Sequence, residues 1–409
     1  MTQATSFPKS KIKVLLFENI HETARAIFRS EGLDLEVLSG SMSEAELIKK
    51  IADVHLVGIR SKTNLTEPVL EAARRLLGIG CFCIGTNQVD LDGAHRRGIP
   101  VFNAPFSNTR SVAELVISDV VALARHIPDH VRDMHQGVWN KSAAGCNEVR
   151  GKTLGIVGYG RIGRQVGVLA ESMGLNVIFN DIEQQLPMGN NTFVPELSDL
   201  LARSDFVTLH VPATQETYGM MTRERIFEIK KGGYLLNLAR GSVVDIPALA
   251  EALEGGHLAG AAVDVFPAEP RENGPSFQSE LCGLKNVILT PHVGGSTQEA
   301  QENIGREVGG RLVDWLNSGL TVGAVNFPQV GQAPVEGCHR ILNVHHNVPG
   351  VLSAINSIMS ESKANVAAQV LSTDREIGYL VMDLDRDLSD EVKAKIEALD
   401  TNIRTRILY

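Results

Sequence analysis

No apolar run in this 409-residue sequence approaches the roughly 20 residues that a membrane-spanning helix needs. Residues 1–13 are polar and lack the apolar core of a secretory signal, so a cytoplasmic protein is expected. Basic excess is missing too. Against 48 Asp and Glu stand 39 Lys and Arg, and a net charge of −9 is a poor footprint for nucleic acid. An anionic small molecule remains compatible, because a few cations can set the field of one cleft. Cysteine is scarce: Cys81, Cys83, Cys146, Cys282 and Cys338 are scattered, and Cys81-x-Cys83 has no zinc-site spacing. Reduced, buried thiols are expected, with neither a disulfide frame nor a metal.

What is present reads as an ordinary globular chain, 43% apolar and 21% charged, long enough for two or three domains. Between residues 11 and 103, strand-like runs at 14–17, 35–38, 55–59, 77–83 and 100–103 alternate with helical patterns at 21–30, 43–53, 66–74 and 90–97. Ser43, Thr66 and Asp90 suit the helix starts. Such alternation implies a parallel α/β unit. A helix is expected over 109–131, with Pro128 near its end. A second alternating region follows, with strands at 154–157, 176–180, 206–210, 234–239, 260–266 and 286–290. Six strands with intervening helices fit a doubly wound dinucleotide fold. After a helix at 297–316, residues 327–337 are rich in Pro and Gly and read as a linker. The tail gives strand 340–345, helix 351–360, strands 365–372 and 376–384, helix 389–398 and strand 402–408. This is the βαββαβ order of a ferredoxin-like module, and its size suggests regulation.

Gly158-Tyr159-Gly160-Arg161-Ile162-Gly163 follows a four-residue apolar strand and opens a helix, the setting in which G-x-G-x-x-G carries meaning. Gly158 allows the tight turn, Gly160 the approach of a pyrophosphate, and Gly163 close packing of helix on strand. Asp181 ends the next strand, where a carboxylate accepts both ribose hydroxyls and repels a 2′-phosphate. NAD is therefore expected over NADP.

Arg240, Glu269 and His292 each lie just beyond an apolar strand of that region. Hydride transfer from a secondary alcohol needs a base for the hydroxyl proton and a cation for the neighbouring carboxylate. His292 titrates near working pH, and Glu269 can hold its other ring nitrogen and raise its pKa. Arg240 can grip a 2-keto acid through two parallel hydrogen bonds. Singly each has an ordinary structural reading; together, after successive strands of one nucleotide fold, they read as a dehydrogenase site.

These motifs, with Asn237-Leu238-Ala239-Arg240-Gly241, Asp264-Val265-Phe266 and Pro291-His292-Val293-Gly294-Gly295, resemble the D-isomer-specific 2-hydroxyacid dehydrogenase family over residues 10–325. The resemblance implies a flavodoxin-like substrate domain from 10–107 and 297–326, a Rossmann NAD domain at 108–296, a linker at 327–338 and an ACT domain at 339–409. It places nucleotide contacts on Arg161, Ile162, Asp181, Leu238, Ala239, Arg240, Asp264, His292, Val293, Gly294 and Gly295. The segments 79–90 and 103–111 resemble the serine-regulated branch that acts on D-3-phosphoglycerate. That branch implies L-serine as inhibitor, a homotetramer, and a serine site between ACT domains at His345, Asn347 and Asn365. Substrate contacts are implied at Arg60, Ser61, Lys62, Asn108 and Lys141. Ser39 and Lys62 depart from the lysine and arginine expected there. A dehydrogenase for another 2-hydroxy acid, such as glycerate or 2-hydroxyglutarate, and a non-catalytic NAD sensor are the competing readings.

Overall fold

Four-residue apolar runs separated by amphipathic helices bury both faces of a strand, which is what parallel sheets require. The computed structural model describes residues 6–270, 274–385 and 388–409. It divides into two units, Met1–Ser107 with Gln301–Tyr409, and Asn108–Ala300.

The first unit begins with β1 (Lys13–Leu16), β2 (Asp34–Val37), β3 (Leu56–Ile59), β4 (Gly78–Cys81) and β5 (Val101–Asn103). They form a parallel sheet in the order β2-β1-β3-β4-β5. This is the flavodoxin-like order, whose switch point lies between β1 and β3. The edge strand β2 is the one that alternates in exposure. Val308, Leu312 and Trp315, from the helix Gln298–Ser318, pack directly on Gly78 and Gly80. Trp315 Nε1 donates to the carbonyl of Leu77 at 2.8 Å. Asp90 caps its helix by accepting from Gly93 N, and Ser43 makes a capping box with Glu46. Thr66 behaves otherwise: its hydroxyl donates to Glu44 Oε2 of the preceding helix, tying two helices together.

In the second unit, β6 (Thr153–Val157), β7 (Asn176–Asn180), β8 (Thr192–Phe193), β9 (Phe206–Leu209), β10 (Gly233–Asn237), β11 (Leu258–Val263) and β12 (Val287–Leu289) build a seven-stranded parallel sheet. The order is β12-β11-β10-β9-β6-β7-β8, so the chain reverses direction across the sheet between β6 and β9. The seventh strand, β8, was not expected; two residues are too few to show a period. The single helix expected over 109–131 is two, Thr109–Ala124 and Ile127–His135. His126 between them adopts a left-handed conformation (φ 51°). Pro128 explains the break, since its ring would collide with a carbonyl four residues back in a continuous helix, whereas the first turn of a new helix accepts it.

The tail, within the first unit, forms β13 (His339–His346), β14 (Val366–Thr373), β15 (Ile377–Leu384) and β16 (Asn402–Leu408), antiparallel in the order β14-β15-β13-β16. Helices Val351–Glu361 and Ser389–Glu397 complete the expected βαββαβ order. One sheet face buries Ile341, Leu380 and Met382 with Ile355 and Ile396 of these helices. The other face places Leu342, Val344, Tyr379 and Val381 in one core with Trp315 and Phe327. The stretch read as a linker is therefore packed in its first half: Phe327 and Val330 are buried, and the Thr321 hydroxyl donates to the carbonyl of Pro328. Arg340 and Asp383 form a buried bidentate pair at 2.7 Å, and Arg340 also donates to the carbonyls of Ser318, Gln332 and Ala333.

Candidate active site

At the carboxyl end of β6 the chain turns on Gly158 (φ 90°), where a side chain would meet the carbonyl of His210. A side chain at Gly163 would collide with the carbonyl of Gly158, so helix Arg161–Ser172 lies close against the turn. At Gly160 nothing stands within 4 Å of such a group, leaving open space at the helix N-terminus. That cradle, the positive end of the helix and the nearby Asp181 suit a dinucleotide pyrophosphate and ribose. Asp181 is oriented by two backbone groups: Oδ2 accepts from Tyr159 N at 2.7 Å and Oδ1 from Glu183 N at 3.2 Å.

Arg240, Asp264 and His292 follow β10, β11 and β12 respectively, at the same edge of the sheet. Arg240 is held by its own turn, with its carbonyl accepting from Asn237 Nδ2 and its Nη1 donating to the carbonyl of Ala239. His292 sits in a left-handed conformation (φ 54°), with its amide donating to the carbonyl of Asp264. Its Nδ1 meets Glu269 Oε2 at 2.9 Å and Oε1 at 3.1 Å. Glu269 is steadied by Phe266 N, which donates to Oε1. The hydrogen bond that His292 donates to Glu269 raises the His292 pKa against the opposing effect of burial. Burial pushes Glu269 up, but the His292 hydrogen bond and charge leave it lowered overall. Arg240 is near enough to lower both groups. With Nδ1 committed to Glu269, Nε2 of a half-exposed imidazole is the atom left to exchange a proton.

The arrangement fixes the sign of a pH effect. Reduction of a keto acid needs protonated His292, and Glu269 extends that form to higher pH. Glu269→Gln is expected to move the descending limb of kcat/KM for reduction to lower pH, and the rising limb for oxidation likewise. Profiles over about pH 6–9 in both directions would show it; unmoved limbs would remove Glu269 from this role.

Asp264, expected at the nucleotide, is 2% exposed and accepts from Thr290 Oγ1 at 2.5 Å, Val293 N at 2.8 Å and Gly294 N at 2.8 Å. In this geometry its carboxylate shapes the 290–294 turn. Gly295 lies against Asn108 Nδ2, while Asn108 Oδ1 is buried without a partner among the described residues. Leu238 and Ala239 are buried at the end of β10, and Ile162 is partly buried in the first turn of its helix. Lys141 is exposed on the loop after helix Ile127–His135, beside Trp139. Arg60, Ser61 and Lys62 follow β3 in the first unit.

In the tail, His345 is buried, with Nδ1 on Asn343 Oδ1, and burial lowers its pKa. Asn347 Nδ2 donates to the carbonyl of Asp374 at 2.6 Å. His345 pairs with Gly378, whereas Asn365 precedes Val366, which pairs with Leu384. Six residues of β15 separate these points, or roughly 20 Å. Within one chain, His345 and Asn347 gather at one end of the sheet and Asn365 stands at the other.

Two groups near the site escaped the sequence reading. Asp119, on helix Thr109–Ala124, is buried, and burial followed by the charge of Asp264 pushes it up to about 7. His210, just after β9 at the switch point, is brought down to about 3 by burial; Nε2 meets Thr208 Oγ1 and the buried Nδ1 has no partner among the described residues. Alternation hides both, since each occupies an ordinary position of its helix or strand.

Fold and site together define a dehydrogenase of the D-isomer specific 2-hydroxyacid class, whose NAD binding domain matches residues 117–294; an ACT domain like that of an acetohydroxyacid synthase small subunit matches 341–404. The D-3-phosphoglycerate dehydrogenase of Dictyostelium discoideum is 54% identical over all of both chains. That of Escherichia coli strain K12 is 53% identical over 99% of each. A D-lactate dehydrogenase from Aquifex aeolicus, solved with NAD and lactic acid, superposes with a TM-score of 0.68 at 26% identity, over 77% of this chain and 100% of its own. The chain belongs to the D-3-phosphoglycerate dehydrogenase family, and its cofactor is NAD.

Proposed function

We propose that the protein oxidises D-3-phosphoglycerate to 3-phosphohydroxypyruvate with NAD in the cytoplasm, as the first step of L-serine synthesis, and that L-serine inhibits it. The observation that carries the reading is the Glu269–His292 pair beside Arg240 in a nucleotide fold. NAD, held by Gly158–Gly163 and Asp181, supplies a hydride acceptor. Neutral His292 takes the C2 hydroxyl proton on Nε2 as the C2–H bond gives up its hydride, and Glu269 stabilises the resulting imidazolium. Arg240 binds the carboxylate and polarises the developing carbonyl. Arg60 and Lys62, with Ser61, Asn108 and Lys141, are assigned to the rest of the substrate, the cations taking the phosphate. Following NADH oxidation with 3-phosphohydroxypyruvate tests this directly. Better kcat/KM with 2-oxoglutarate or hydroxypyruvate would favour the other hydroxy-acid reading, which Ser39 and Lys62 motivate.

The chain is further proposed to assemble as a homotetramer. Ile127, Val131, Met134, Val138 and the 80% exposed Trp139 form an apolar stripe suited to a second copy. L-serine is assigned to His345 and Asn347 of one ACT sheet with Asn365 of another, a pairing that the opposite placement of these residues favours. Asn347→Ala should raise the serine concentration for half-inhibition about tenfold or more, by loss of a hydrogen bond to the charged amino acid. The uninhibited rate should hold; equal loss of rate and inhibition would contradict a separate site.

A further inference from the structure

Glu18 lies just past β1, at the switch point of the five-stranded sheet, where ligands of such sheets bind. Both Glu18 (φ 57°) and Asn19 (φ 49°) are left-handed, a conformation that glutamate seldom adopts. The turn directs a buried carboxylate at the loop after β3. Oε1 accepts from Thr63 N at 2.8 Å and Arg60 N at 3.3 Å, and Oε2 accepts from Lys62 N at 3.1 Å. The other side of that loop is held as well: Gln88 Nε2 donates to the carbonyl of Arg60 at 2.8 Å, and Arg60 Nη1 reaches the carbonyl of Glu18 at 3.5 Å. One carboxylate thus gathers three amide donors, those of Arg60, Lys62 and Thr63, from a loop that carries two cations. Its charge is spent on backbone, and no ion pair within the described residues involves the Arg60 or Lys62 side chain.

We propose that Glu18 is a positioning residue for substrate selection, which sets the Arg60–Thr63 loop so that Arg60 and Lys62 meet a phosphate monoester. The inference rests on the reading above, in which those cations bind the substrate phosphate. Glu18 touches neither substrate nor cofactor; it acts through the loop. A side chain that merely held the fold together would affect all substrates alike.

The test uses the full-length enzyme with NADH and two keto acids, 3-phosphohydroxypyruvate and hydroxypyruvate. Glu18→Gln turns a donor toward Lys62 N and removes the charge. KM for the phosphorylated substrate is expected to rise about ten- to a hundredfold, the loss that a weakened charge-assisted hydrogen bond to its phosphate brings. Its kcat should stay within about twofold, with hydroxypyruvate kinetics unchanged. Glu18→Asp, which keeps the charge but shortens the reach, should move the same KM in the same direction by less, and serves if the glutamine variant does not fold. Arg60→Ala separates the two layers of argument. If Arg60→Ala raises KM for the phosphorylated substrate alone while both Glu18 variants change nothing, or impair both substrates equally, the role of Glu18 is overturned and the substrate reading stands. If Arg60→Ala itself shows no selectivity, the substrate reading fails and the inference with it.

Discussion

His292→Asn is expected to lower kcat in both directions about 10²- to 10⁴-fold, the range for loss of a positioned general acid–base. Asparagine keeps a polar group of similar reach but cannot exchange a proton near neutral pH. The loss should fall on kcat and kcat/KM together, because the proton moves only in the transition state. NAD affinity should fall far less than kcat, since His292 is one of many residues assigned to the nucleotide and the cradle at Gly158–Gly163 with Asp181 is left intact. Steady-state rates alongside NADH binding by fluorescence would separate the two. Near-normal turnover would mean that another group handles the proton.

Asp119→Asn is expected to stabilise the protein above neutral pH. In the fold Asp119 titrates at about 7, whereas an unfolded aspartate titrates near 4. Below pH 4 both states carry the proton and the group is neutral in effect. From pH 4 to 7 the folded state holds a proton that the unfolded state has released, so stability falls as pH rises. Above 7 the loss levels off at up to about 4 kcal/mol, which Asn avoids by having no charge to bury. Urea denaturation of both proteins at about pH 4.5 and pH 8 should give curves that nearly coincide at the lower pH and separate at the higher. A constant gap at both would show that Asp119 titrates normally, and that the substitution acts through packing alone.

Much of this molecule can be read from its chain. Apolar runs separated by capped helices give both parallel sheets, because strands buried on two faces leave a signal that needs no partner to interpret. The Glu269–His292 pair is legible because each residue lies a few positions beyond a strand, and such ends share one edge. Illegible features depend on three-dimensional context. Helix 109–131 keeps its apolar period across His126, so only the ring of Pro128 betrays the break. β8 is two residues long. Glu18 and Asp119 look like ordinary surface carboxylates, and their distinction is burial, which distant segments impose. Nor does sequence order say that Asn365 lies at the far end of the sheet from Asn347; pairing of β14 and β15 with β13 decides that.

The route of the chain through its first unit has a consequence for biosynthesis. β4 and β5 are made early, yet Val308, Leu312 and Trp315, which cover that sheet, emerge only after the whole Asn108–Ala300 unit. At about 5–20 residues per second, the wait on the ribosome is roughly 10–40 s. During it the nucleotide unit can close on its own residues, while the older sheet keeps an apolar face open to water. Emerging chains should therefore engage chaperones through their oldest residues, and a chain stalled just as residue 300 clears the ribosome should hold a protease-resistant second unit behind a digestible first one.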